Sequence, residues 1–177
     1  LLVLYGLVTF FCVPGGDLAG LFVRRTFGET YWYLTAVELA GFAGMIAGGV
    51  LMSTWGGFRR RGRTLTAGLL AFGVLAAGMG LSRHFVPYLG LMALYGTALT
   101  VVQTAITTML QEHTEADMQG RVFGLLSTMY AGCLPLGMAI FGPLADVVSL
   151  RWIMAGAGGA ILAAAAAVGT DHRMRAV

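Results

Sequence analysis

Long apolar runs separated by short charged segments dominate this chain. A helix needs about 20 apolar residues to cross about 30 Å of hydrocarbon. Six runs of suitable length can be traced: Leu1 to Phe22, Tyr33 to Met52, Thr64 to Leu81, Val86 to Leu110, Val122 to Ala145 and Trp152 to Gly169. The segments between them, among them "VRRTFGET", "STWGGFRRRGR" and "QEHTEADMQGR", carry nearly all of the charge. The pattern predicts an all-α membrane protein: six transmembrane helices in one bundle over residues 1–177, with the lipid bilayer as solvent.

The runs differ in kind. The third and sixth are almost pure Ala, Gly, Leu, Val, Ile and Met and present nothing to water or solute. The fourth gathers Thr97, Thr100, Gln103, Thr104, Thr107, Thr108 and Gln111, which at 100° per residue fall within an arc of about 140°. Threonine hydroxyls can bond back to their own helix or to a neighbour. Two Gln and five Thr on one face ask for more partners than that, and a water-lined cavity is the expected surrounding. The first run carries a weaker polar face, Tyr5, Thr9, Cys12 and Gly16, before "VPGGDLAG" interrupts it with Pro14 and two Gly. Broken segments in lipid line a cavity or pack on a partner.

The polar runs are thus the first of each group of three and the purely apolar runs the third. The second runs align as well: "GMIAGGVLMS" (44–53) against "GMAIFGPLAD" (137–146) matches Gly44 with Gly137, Met45 with Met138, Gly49 with Gly142 and Leu51 with Leu144. Two three-helix repeats follow, inverted because three spans return the chain to the opposite side, an architecture of secondary transporters.

Composition agrees with a lipid solvent: 58% of residues are hydrophobic and 11% charged, with mean hydropathy +0.80. The eleven basic residues are all Arg and the net charge of +3 is scattered, so no nucleic-acid footprint is present. Arg59, Arg60, Arg61, Arg63, Arg121, Arg173 and Arg175 fall on one side of the six spans and Arg24, Arg25, Arg83 and Arg151 on the other, which predicts a cytoplasmic C-terminus. The chain opens inside an apolar run without Met or a basic leader, so residues 1–22 read as a span and the chain as a piece of a longer protein. Cys12 and Cys133 read as small packing residues.

The segments "VRRTFGETYWYLTAVELAGFAGMIAGGVLMSTWGGFRRRGR" and "LQEHTEADMQGRVFGLLSTMYAGCLPLGMAIFGPLADVVSLRW" carry a resemblance. Together they resemble the C-terminal six-helix half of a major facilitator superfamily transporter, of the drug-efflux branch that includes macrolide exporters and the enterobactin exporter. "MQGRVFGLLS" and "FGPLAD" are the most specific pieces. Of the family's cytoplasmic signature, G-x-L-x-D-x-x-G-[R/K]-[R/K], Gly49, Leu51 and Gly56 fit, while Ser53 stands for the Asp and Gly57 for the first basic residue. The basic cluster Arg59 to Arg63 comes slightly later, and Gly142, Leu144 and Asp146 keep the G-x-L-x-D spacing in the second repeat.

The resemblance implies a multi-pass cell-membrane protein that works by alternating access against an N-terminal six-helix half. It also implies a small-molecule substrate, a proton gradient as energy source, no cofactor, and a cavity lined by the first helix of each triplet. Gly49, Arg59, Arg60, Gly120, Arg121 and Asp146 are the loop and gating residues it points to. Uptake or export of a specific metabolite or siderophore is the alternative, and a non-transporting membrane interaction module is the alternative of another class.

Two acids, Asp17 in "PGGDLAG" and Glu38 in "TAVELAG", fall inside apolar runs, where a central charge costs about 2.5 to 3.5 kcal/mol on insertion scales. Either one carries a proton or faces a cationic solute, or both serve an outer gate by hydrogen bonding or by pairing with Arg24 or Arg25. Asp146, with Arg151 five residues on, reads as a helix-end anchor, and Arg121 as a group that meets the last carbonyls of the fourth helix or an acid of the other half. No H-E-x-x-H, catalytic Asp pair, Ser–His pair or ligand-spaced His and Cys points to an enzyme.

Overall fold

The computed structural model describes residues 1–58 and 61–170, and their regular structure is helical throughout. Among the described residues seven helices follow one another: α1 Leu2–Cys12, α2 Ala19–Thr26, α3 Tyr31–Trp55, α4 Arg61–Leu81, α5 Phe85–His113, α6 Ala116–Val147 and α7 Leu150–Thr170. The last five are long and apolar enough to cross a membrane, while α1 is apolar but short.

The first predicted span is therefore two helices. Pro14 has no N–H to continue the α-ladder, and residues 13–18 form turns in which the Gly16 N–H reaches the Cys12 carbonyl at 2.8 Å and the Leu18 N–H the Val13 carbonyl at 3.0 Å. The other predicted spans are each present but longer. Hydropathy marks where hydrocarbon begins, whereas hydrogen bonding marks where the helix does. Thus "ADMQGR", read above as connecting chain, forms the first turns of α6, which at 32 residues is about 48 Å long. Asp117 in its first turn complements the helix dipole there. The helix runs through both Pro135 and Pro143. At the other boundary type, α3 stops at Gly56, whose φ of 68° suits glycine, and Gly57 follows at φ 83°.

Packing is by pairs: α3 on α5, α4 on α7 and on α5, and α1 on α6 and α7. Small residues set the approach. Gly44 faces the backbone of Ala93 so closely that a side chain there has no room. A Cβ on Gly73 would stand 2.9 Å from the Gly158 carbonyl oxygen. The core is built chiefly from α4, α5 and α7, with Leu65, Phe72, Ile106 and Ile161 fully buried. Half of the apolar window of α4 is buried (50%), against 22% for α3 and 11% for α6. The α3 and α6 faces thus lie at the periphery, carrying Phe42, Ile46 and Val50 on one and Leu136, Ile140 and Leu144 on the other.

An aromatic cluster locks the broken first span to α3 and α5. Phe22 stacks on Tyr88 at 5.3 Å, Phe27 meets Phe85 edge-on at 5.6 Å, and Tyr33 lies 4.4 Å from Phe85.

Candidate functional site

The polar face of α5 lies on the side away from its packed stripe, although at its start Thr97 and Thr100 abut Gly48 of α3. Thr97, Thr100, Gln103, Thr104, Thr107 and Thr108 are all half-buried and Gln111 is exposed, whereas Ala98, Val101, Val102, Ala105, Ile106, Met109 and Leu110 on the opposite face are buried. A helix whose apolar stripe is packed must turn its polar stripe outward. Leu99 departs from the expected split, being half-buried with the polar group.

Part of that polarity is spent locally. Thr100 Oγ1 donates to the Gly96 carbonyl at 3.0 Å and Thr107 Oγ1 to the Gln103 carbonyl at 2.7 Å. Thr97 Oγ1 lies 2.9 Å from the Gly44 carbonyl of α3 and 3.0 Å from that of Ala93, so it joins two helices. Among the described residues, the side chains of Gln103, Thr104, Thr108 and Gln111 make no hydrogen bond within the protein.

Thr107 opens onto a cavity of about 350 Å³ between α1, α5 and α6, lined also by Tyr5, Phe123, Leu126, Ser127 and Tyr130. Tyr5 is thus at a cavity wall. Thr9, expected on the same wall, is 2% exposed and donates to the Tyr5 carbonyl at 2.9 Å, because the turn of α1 that carries it is covered by packing. Ser127 and Tyr130 were not singled out in the sequence. Their spacing of three on the fifth apolar run was the available signal.

Asp17 and Glu38 meet at a second cavity, of about 180 Å³, with Gly16, Phe42, Met45, Met92, Tyr95 and Leu99 around them. The break in the first span brings Asp17 there, and the α3–α5 pairing brings Glu38. The pairing of Asp17 with Arg24 or Arg25 that the sequence left open does not occur: Arg24 reaches Glu29 at 3.4 Å and Arg25 reaches Asp146 at 2.7 Å. Neither acid has an ion-pair partner among the described residues. Tyr95, fully enclosed, donates its hydroxyl to the Cys12 carbonyl at 3.0 Å and so satisfies the end of α1 where the ladder stops.

The loop and gating residues are spread over both ends. Asp146 pairs with Arg25 and not with Arg151, and Arg25 also donates to the Ala145 carbonyl, tying α2 to the end of α6. Gly49 and Gly120 face open space. Arg121 is exposed and lies 3.9 Å from the Met118 sulfur, while the last carbonyls of α5 are approached instead by the Gln119 amide, 3.4 Å from Gln111 and 3.5 Å from Thr114. Arg59 and Arg60 lie outside the described residues. Arg61, which the sequence did not separate from its cluster, bridges α4 and α5 through Glu112 at 3.1 Å and donates to the Gly56 carbonyl at 2.7 Å.

No protein-family model matches the chain. It is 24% identical over 157 residues to the macrolide efflux protein A of Streptococcus pyogenes, covering 87% of this chain and 39% of that relative. It is 25% identical over 140 residues to the macrolide efflux protein A of Enterococcus faecalis, covering 78% of this chain and 43% of that relative. The chain spans about two fifths of the length of the curated relatives it matches. Its apolar helices and its likeness to efflux proteins together make it a multi-pass, all-helical membrane protein similar to macrolide efflux proteins.

Proposed function

We propose that this chain is the C-terminal half of a drug-efflux transporter of the major facilitator type, exporting amphipathic small molecules such as macrolides by alternating access. The observation that carries the proposal is the stretch of α5 with the unpartnered side chains of Gln103, Thr104 and Thr108, beside the cavity of Tyr5, Thr107, Ser127 and Tyr130. A single bundle in lipid gains nothing from unpartnered Gln and Thr at membrane depth unless water or solute reaches them.

The packing supports an inverted repeat of α1–α4 and α5–α7, with α1 and α2 as one interrupted span. Under that operation the α3–α5 pair maps onto α6–α1, the α4–α5 pair maps onto α7–α1, and α4–α7 maps onto itself, and all of these pairs are formed. The aligned glycines behave alike: Gly44 receives the first helix of the second triplet and Gly137 the first span of the first triplet, through Ala93 and Val13 respectively. The outward faces of α3 and α6 are then the surfaces that meet the N-terminal half, and the C-terminus and the Arg59 to Arg63 segment lie in the cytoplasm.

Asp17 and Glu38 are the coupling acids in this reading. Two bare carboxylates at one small cavity repel each other, which a proton or a cationic solute placed there relieves. The test is export of a labelled macrolide from cells carrying the full-length protein, with and without an uncoupler. We predict uncoupler-sensitive export, reduced tenfold or more by Glu38→Gln or Asp17→Asn at unchanged membrane abundance. Wild-type export by the Asp17→Asn/Glu38→Gln double variant would remove the acids from the mechanism, and absence of export from the unaltered protein would remove the function.

A further inference from the structure

On the outside of the bundle an apolar groove of about 570 Å³ runs between α3 and α4, with α5 as its floor. Among the described residues no charged side chain lines it. Its two hydroxyl-bearing residues are already engaged: Thr64 accepts the Phe58 N–H at 2.8 Å and Thr97 is held by carbonyls of α3 and α5. A solute carrying polar groups would find nothing there to bond.

One end of the groove is different. Ala67, Leu70 and Val74 are the exposed stripe of α4 that lines it, and Arg63 precedes Ala67 by one turn on the same stripe, itself exposed. Arg61 nearby is engaged by Glu112 and the Gly56 carbonyl. Arg63 has no ion pair among the described residues. Trp55, 48% exposed, stands on the rim at this end, edge-on to Phe58 at 4.7 Å. Trp is the residue type enriched where hydrocarbon meets headgroups. From Arg63 to Val74 the helix rises about 16 Å, half of the roughly 30 Å hydrocarbon layer and so the depth of one leaflet.

We propose that this groove is a lipid site that seats one acyl chain of an anionic phospholipid, with the headgroup phosphate at Arg63. The dry lining takes the chain, the aromatic rim sits at the level of the glycerol, and the Arg63 guanidinium at the mouth selects the sign of the headgroup. The site shares Thr97 with the start of the α5 polar face but no residue with the Asp17–Glu38 cavity, and it stands whether or not the protein transports macrolides.

Quenching of Trp55 fluorescence tests it, in the chain carrying Trp32→Phe and Trp152→Phe and reconstituted in vesicles. Phosphatidylglycerol and phosphatidylcholine with identical brominated acyl chains are compared at equal mole fraction. The expected result is association of the anionic lipid about fivefold tighter, the selectivity of one arginine near a membrane surface. Arg63→Gln abolishes the selectivity, Arg83→Gln at the opposite end leaves it, and Ala71→Phe, which fills the groove from an exposed position, removes the tight component for both lipids. Circular dichroism confirms that each variant is helical. Equal quenching by the two lipids, or selectivity that survives both Arg63→Gln and Ala71→Phe, overturns the proposal. So does displacement of neither lipid by Ala71→Phe while binding of a hydrophobic cationic dye is lost, which would make the groove a solute entry path instead.

Discussion

Tyr95 and Tyr88 sit on the same helix, are both fully buried, and are opposites in what their hydroxyls do. Tyr95 serves the Cys12 carbonyl at the break of the first span, and its ring leaves space only for the hydrogen of Gly15, where a Cβ would stand 2.6 Å from the hydroxyl. The Tyr88 hydroxyl is buried with no partner among the described residues. A made hydrogen bond contributes about 1 kcal/mol net, whereas an unmade buried one costs about 1 to 3 kcal/mol. We therefore predict that Tyr95→Phe lowers stability by about 1 kcal/mol, the Cys12 carbonyl keeping the Gly16 N–H, while Tyr88→Phe is neutral or stabilising. Thermal unfolding of the purified protein in one detergent measures both. Equal losses in the two variants would contradict the assignment. Neither role is legible in sequence, because both tyrosines stand in a run whose pattern marks them simply as apolar.

At the scale of elements, the six apolar runs were legible because lipid imposes a length and a composition on anything that spans it. The break at "VPGGDLAG" was legible for a local reason, the missing N–H of Pro14. Helix ends were not, since α5 and α6 continue past the hydrocarbon into charged sequence. The partners of charged residues were not either: Arg25 to Asp146 and Arg61 to Glu112 are fixed by which helices pair, and periodicity within one helix holds no information about its neighbour. Among glycines, position in the pair decides the consequence. Gly44 faces the Ala93 backbone and Gly49, five residues on, faces open space. Overpacking costs typically 1 to 3 kcal/mol. Gly44→Val is predicted to lose at least that much and to lower the folded yield after extraction, whereas Gly49→Val changes neither. Size-exclusion profiles and unfolding midpoints of the two variants, side by side, decide it. A well-folded Gly44→Val would mean that α3 and α5 do not approach as described.

For the whole molecule, α4 and α7 form the inner pair and α3 and α6 the outer ones, while the interrupted first span and α5 carry the polar residues. The division was legible in part, since composition already separated the two purely apolar runs from the polar fourth. The convergence of Asp17 and Glu38 on one cavity was not, because it depends on how far the break in the first span carries residue 17 toward α3. Leu99 shows the same limit: placed on the apolar arc by its angle, it lines that cavity. In the proposed transporter the α5 polar face is a solute-facing wall. In full-length protein with Cys12→Ala and Cys133→Ala, single cysteines at Thr100, Thr104 and Thr108, and at the buried Val102 and Ile106, can be exposed in membrane vesicles to a membrane-impermeant maleimide. Labelling of Thr100→Cys, Thr104→Cys and Thr108→Cys that excess macrolide slows is expected, and none of Val102→Cys or Ile106→Cys. Equal labelling of both faces, or none at 104 and 108 while a lipid-soluble maleimide reacts there, would contradict it.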